Sequence, residues 1–204
     1  MPKIVDAEAR REAIADSVLA VIAREGLRAA TLSSIAAESG LAVGSVRHYF
    51  AGHGELLTFA AEALVDRTTA RLYAHLASLA AAGSADARRA AAVDMLCEVL
   101  PLDGVREIEA AVWLEFAVAA RLSTELAHPI DILHDGLRAL VTRIITAGAQ
   151  SGRFRVGIDV DVEIARLHAL VDGLVLHGVL ASKTDAVALS RRVIETHLET
   201  LLAR

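Results

Sequence analysis

The chain has 204 residues, a formal net charge of −5, 54% hydrophobic and 3% aromatic residues, three prolines and one cysteine. That length suits one domain with a sizeable core, or a small module joined to a larger one. The acidic balance excludes a broadly cationic nucleic-acid surface, the lone Cys97 excludes an internal disulfide, and no stretch of about 18 residues is free enough of charge to cross a bilayer.

Few prolines and aromatics beside abundant Ala, Leu, Val and Arg predict an all-α protein. The opening MPKIVDAEARREA places acids where an export signal needs its apolar run, so a cytoplasmic protein is expected. Residues 6–25 read as a first helix, with Ile14, Val18, Val21 and Ile22 on one face and Gly26 ending it. Arg10 and Arg11, with Lys3 before them, are either a solvated helix start or contacts to a DNA backbone.

Residues 31–50, TLSSIAAESGLAVGSVRHYF, read as two short helices joined by a tight turn. Thr31 can cap the first by accepting a bond from an amide one turn in. Leu32, Ile35 and Ala36 share a face, and Gly40 tolerates the left-handed backbone that a sharp stop needs. Leu41 and Val46 point back as apolar plugs, and small Ala36 lets the two helices approach. Val43, Gly44, Ser45, Arg47, His48 and Tyr49 then lie on or near the outward side, at a fixed angle suited to the major groove. Up to Phe50 there are six basic residues (Lys3, Arg10, Arg11, Arg24, Arg28, Arg47) and six acidic ones (Asp6, Glu8, Glu12, Asp16, Glu25, Glu38). That neutrality predicts weak non-specific binding and a shallow salt dependence.

Residues 54–81 form a long connecting helix, broken by Ala-Ala-Gly-Ser at 81–84. A helix runs to about Leu100 and stops at Pro101-Leu102-Asp103-Gly104; the next, 105–121, carries the only tryptophan, Trp113. His128-Pro129 is expected to open another helix, which ends at Gln150-Ser151-Gly152. Residues 162–182 are apolar all round, so both sides must be covered. With a final helix at 185–203, they are expected to form a four-helix bundle with their copies in a homodimer. The interface would comprise Leu167, Val171, Leu174, Gly178, Ile194, Leu198 and Leu201; an intramolecular core could bury the same faces.

The run 31–57 resembles the DNA-binding domain of the TetR family of transcription regulators. The likeness rests on the Thr opening, Ile35-Ala36 with Gly40, the aromatic pair Tyr49-Phe50, and Glu55-Leu56-Leu57 opening a long helix; it extends upstream through the first helix. It implies that Val43, Gly44, Ser45, Arg47 and His48 lie near base edges or phosphates, that Tyr49 meets a phosphate, and that Thr31 and Ser33 meet the groove edge. Arg47 alone has a donor fork suited to guanine or phosphate. Where the family commonly has a lysine this chain has His53, which would hold a phosphate more weakly. The stretches Trp113-Leu114-Glu115-Phe116-Ala117, 147–154 and 170–174 resemble the subgroup that includes the choline-responsive betaine repressor, which implies a ligand-sensing and dimerising domain. Choline itself does not transfer, because a quaternary ammonium ligand wants an aromatic cage.

No catalytic constellation, phosphate loop or cysteine cluster is present, so neither an enzyme nor a cofactor is expected. Asp131, His134 and Asp135 share a helix face that reads as solvated rather than metal-binding. His168 and Asp172 can meet as a structural pair or as a polar contact in a pocket; Trp113 and Phe116 are core aromatics or effector contacts. The reading is a three-helix helix-turn-helix domain (1–53) followed by an effector-binding and dimerisation domain (54–204), about nine helices in all. It would bind a near-palindromic double-stranded DNA operator and be released by a small molecule. The alternative is a helical ligand-binding or scaffolding protein whose helix-turn-helix no longer binds DNA.

Overall fold

In a computed structural model that describes residues 7–180 and 186–203, apolar residues at helical spacing become nine α-helices. They are α1 (Ala7–Glu25), α2 (Leu32–Glu38), α3 (Val43–Tyr49), α4 (His53–Ala81), α5 (Ala85–Cys97), α6 (Gly104–Ala120), α7 (Thr124–Gln150), α8 (Val160–Leu180) and α9 (Ala186–Thr200), with a 3₁₀ turn at Leu27–Ala29. The described residues contain no named strand, only an isolated bridge between Phe154 and Leu202. Lys3, the 182 and 185 limits expected for the last helices, and the Val187 side chain lie outside what is described.

One expected start is corrected. Pro129 does not open α7; the helix begins at Thr124 and carries the proline inside it. Proline removes the amide that would bond to the Glu125 carbonyl. Ala127 N still donates to Ser123 O at 3.2 Å, and Leu126, Pro129 and Ile130 are all buried, which offsets the lost bond.

Packing divides the chain into two units, residues 7–67 with 111–131, and residues 68–110 with 132–203. This line does not fall at residue 53, where the functional boundary is expected: the first half of α4 and parts of α6 and α7 belong to the first unit. In the first unit Ile14, Val18 and Ile22 of α1 meet Ile35, Val46, Phe50, Leu56 and Phe116 in one buried core. Each large side chain so buried contributes about 1.5–3 kcal/mol. Polar ties fix the approach of the helices: Arg67 reaches Asp16 at 2.5 Å, and Glu115 accepts from Leu27 N at 3.1 Å.

In the second unit Leu167, Val171 and Val175 recur at four-residue steps on α8 and face inward, as do Ile194 and Leu198 of α9 and Leu201 just after it. Arg71 forms a bidentate pair with Glu109 (Nη1 to Oε1 3.1 Å, Nη2 to Oε2) and also donates to Glu98 at 3.1 Å, while His75 lies 2.9 Å from the other Glu98 oxygen. Burial pulls the Arg71 guanidinium down, but its two carboxylate partners prevail and hold it above its ordinary value. Cys97 is buried, and desolvation pushes its thiol up.

Candidate nucleic-acid interface and effector cavity

The α2–α3 unit is built by local chemistry. Thr31 Oγ1 accepts from Ser34 N at 3.1 Å and Ser34 Oγ accepts from Thr31 N at 2.9 Å, a reciprocal cap that fixes where α2 starts. Gly40, at φ 67°, turns the chain, and Leu41 N returns to Ala36 O at 2.9 Å. Ala36 and Val46 are buried where α2 and α3 meet, as their size and spacing imply.

Of the residues expected at the DNA, Thr31, Ser33, Gly44, Arg47, His48 and His53 are exposed, and Val43, Ser45 and Tyr49 are half-buried. Val43 and Tyr49 pack partly on the first unit's core, and the His48 ring stands edge-on to Tyr49 at 5.3 Å. His53 Nε2 donates to the Ala30 carbonyl at 2.5 Å, so its imidazole braces the entry to α2 against the start of α4.

The cations divide sharply. Arg11 donates to the Tyr49 carbonyl at 2.6 Å, and its guanidinium lies 4.3 Å and 4.5 Å from the Phe50 and Phe59 ring centres. It is a brace, which answers whether it is a solvated helix start. Arg24 pairs with Glu25 and Glu38, both at 2.9 Å. Among the described residues, Arg10, Arg28 and Arg47 have no acidic partner. Arg28, exposed beside the α2 entry, is a cation to which sequence reasoning gave no role; its charge was legible, its lack of a partner was not.

The expected ligand residues divide between the two units. Phe116 is fully buried in the first unit's core, and half-buried Trp113 packs against the same core, its indole Nε1 without a hydrogen-bond partner among the described residues. His168 and Asp172 belong to the second unit, 3.8 Å apart, with the His134 ring 4.8 Å from that of His168. Burial holds the His168 imidazole below its ordinary value; Asp172 pulls it up, His134 and Arg138 push it down. Asp131, His134 and Asp135 are exposed, and the described residues contain no metal-holding group of three.

A cavity of about 520 Å³ opens within the second unit instead, between the ends of α4, α7 and α9 and the start of α5. Its walls include Leu76, Met95, Leu140, Ile144, Phe154 and Leu198, with Arg88, Arg89, Arg143, Arg153 and Asp86 among them. Trp113, Phe116, His168 and Asp172 do not line it. These walls come from four helices and a connector, so no local sequence pattern announces them.

The expected dimer residues need correction too. Leu167, Val171, Ile194, Leu198 and Leu201 are buried within one chain and have no surface left for a partner. Gly178 is close-packed against Pro101 of its own chain: a methyl group there would overlap the proline ring. Leu174 is half-buried. The open side of α8 carries Ala165, Ala169, Gly173, Leu176 and Leu180. A helix apolar all round does not reveal by its periodicity which side meets its own chain.

An exposed α3 held by a buried α1–α2 framework is a helix-turn-helix, and a helical unit with a cavity of small-molecule size follows it. The family model for the BetI-type transcriptional repressor C-terminal domain matches residues 87–203. The HTH-type transcriptional regulator PksA of Bacillus subtilis is 33% identical over 203 residues, covering 98% of this chain and 94% of PksA. The chain belongs to the TetR family of transcriptional regulators, with a BetI-type C-terminal domain. Among solved structures, a transcriptional regulator from Rhodococcus sp. RHA1 superposes with a TM-score of 0.74 at 25% identity, over 94% of this chain and 95% of that one. A transcriptional regulator from Saccharomonospora viridis in complex with choline superposes with a TM-score of 0.82 at 24% identity, over 97% of this chain and all (100%) of that one. No helix among the described residues is long and apolar enough to cross a membrane.

Proposed function

We propose that this chain is a cytoplasmic repressor that binds a near-palindromic operator as a homodimer and is released by a small molecule. The observation that carries the reading is Arg47. It stands exposed on α3 without a partner among the described residues, while the neighbouring Val46 is buried and fixes the helix. Arg47 is assigned the bidentate contact to guanine or phosphate. Gly44 lets the backbone approach, Val43, Ser45 and His48 meet base edges, Tyr49 meets a phosphate, and Thr31 and Ser33 touch the groove edge. His53 is assigned the brace to Ala30, not a phosphate.

Two recognition helices about 34–36 Å apart are needed to read successive major grooves, so the operator-binding form is a dimer. The small-residue ridge of α8 (Ala165, Ala169, Gly173) with Leu176 and Leu180 supports α8 and α9 as its contact. The effector occupies the 520 Å³ cavity, within the usual small-molecule range of about 300–1,000 Å³. Linkage couples the two ligands: an effector that weakens operator binding is itself weakened by the operator by the same factor, typically about 1–3 kcal/mol.

The test is binding to the gene's own upstream DNA against scrambled DNA of equal length, at two salt concentrations. One dimer per near-palindrome, with Arg47→Ala abolishing discrimination, is expected. No bound fragment in a genome-wide selection would overturn the reading in favour of a non-DNA role.

A further inference from the structure

Chemical character, rather than size, distinguishes the cavity in the second unit. In a chain of net charge −5 its walls gather four arginines, Arg88, Arg89, Arg143 and Arg153, against one acid. That acid, Asp86, lies 3.4 Å from Arg89 and is already paired. Arg88 donates from Nη1 to the Ala82 carbonyl at 2.9 Å, but its Nε is buried with no acceptor among the described residues. The side chains of exposed Arg143 and half-buried Arg153 have no hydrogen-bond or ionic partner among the described residues, although the Arg153 carbonyl accepts from Ala203 N at 2.7 Å. A buried donor without an acceptor is destabilising, more so on a charged group, and Arg88 Nε is such a donor. Like charges facing one apolar space add repulsion. The remaining wall, from Met95, Leu140, Ile144, Phe154 and Leu198, is hydrocarbon.

We infer that this cavity takes an amphiphilic anion, an apolar chain bearing a single negative head, with Arg88, Arg143 and Arg153 receiving the head and the α5–α7–α9 wall receiving the chain. The inference rests on the proposed effector role of the cavity and narrows it. A quaternary ammonium is the wrong complement. Among the described residues Phe154 is the single aromatic lining the cavity, where an ammonium would need a cage, and the one carboxylate there, Asp86, is exposed and lies beside Arg89.

The experiment uses the full-length dimer and three probes of one chain length: decanoate, decanol and decyltrimethylammonium. Each is titrated by calorimetry below its micelle concentration and below any concentration that lowers the melting temperature. Decanoate is expected to bind at least about tenfold more tightly than either of the others, as a charge-assisted contact of roughly 1.5–3 kcal/mol implies. The double variant Arg143→Gln, Arg153→Gln should lose that advantage while keeping decanol affinity and melting temperature. Equal affinity for the three heads, tighter binding of the ammonium, no binding of any probe, or an unaffected double variant would each overturn the inference. A parallel arm follows retention of upstream DNA. Decanoate that binds without releasing DNA leaves the anion site standing and removes the effector reading. Release of DNA by decyltrimethylammonium, with no binding of decanoate, does the reverse.

Discussion

His53 Nε2 lies 2.5 Å from the carbonyl oxygen of Ala30, joining the first residue of α4 to the loop that leads into α2. A hydrogen bond of this kind stabilises by about 0.5–1.5 kcal/mol net. His53→Ala should therefore lower the melting temperature while leaving the slope of log K against log salt unchanged, because that slope counts phosphate contacts. A shallower slope in the variant would return His53 to the phosphate backbone.

Arg11 and Arg47 make a matched contrast. Arg11→Ala removes a 2.6 Å donor to Tyr49 O and a cation seated over Phe50 and Phe59, so it should cost about 2 kcal/mol of stability. Arg47→Ala removes an exposed side chain with no partner among the described residues and should leave stability within about 0.5 kcal/mol. On DNA, Arg47→Ala should cost about 1–3 kcal/mol of discrimination per half-site. Thermal melts beside operator titrations separate the two; an Arg11 variant that melts like the parent would contradict its bracing role.

Stability should fall as the solution is acidified below neutrality. His197 lies 3.9 Å from buried Glu163, yet burial outweighs that attraction and holds the imidazole below its ordinary value, with Arg166 adding repulsion. The His168 imidazole is depressed by burial as well. Above the unfolded value, about 6.5, both are neutral whether folded or not, and their contribution is fully present. As pH falls through that value the unfolded chain binds protons that the folded chain refuses, so stability is lost down to the folded value. Melting temperatures between about pH 7.5 and pH 5.5 should decline, and His197→Gln should flatten the decline. A variant as steep as the parent would assign the slope to other groups.

What the sequence made legible follows from the range of the forces involved. The α2–α3 unit was readable because its determinants are local: the Thr31 cap, the Gly40 turn and the Val46 plug all act within about one turn of themselves. Pro129 misled because proline commonly starts helices, and burial of Leu126 and Ile130 here carries α7 through it. The cavity and the commitments of Arg11 and His53 were hidden because their partners lie far along the chain, 38 residues on for Arg11 and 23 back for His53. Leu167 and Val171 suit a partner as well as their own core, because a wide apolar stripe carries no mark of which neighbour covers it.

Two glycines on α8 test whether this helix meets a partner. Replacing a helical glycine by alanine ordinarily stabilises by about 0.5–1 kcal/mol. At Gly178 the new methyl would overlap the Pro101 ring, which cannot swing away as a flexible side chain can, so a net loss of about 1–2 kcal/mol is expected. At Gly173 a methyl meets nothing within 4 Å among the described residues of its own chain, so Gly173→Ala should stabilise an isolated chain. If the Ala165–Ala169–Gly173 ridge packs closely on its copy, the same methyl must separate the two helices and weaken the dimer. Sedimentation velocity over a range of concentrations, run beside thermal melts, reads both effects. Weaker dimerisation of Gly173→Ala, reproduced by Leu180→Glu on the same exposed side, places α8 at the contact. Dimers unaffected by both substitutions would move the interface off α8, and the spacing of the two recognition helices would have to be set by another surface.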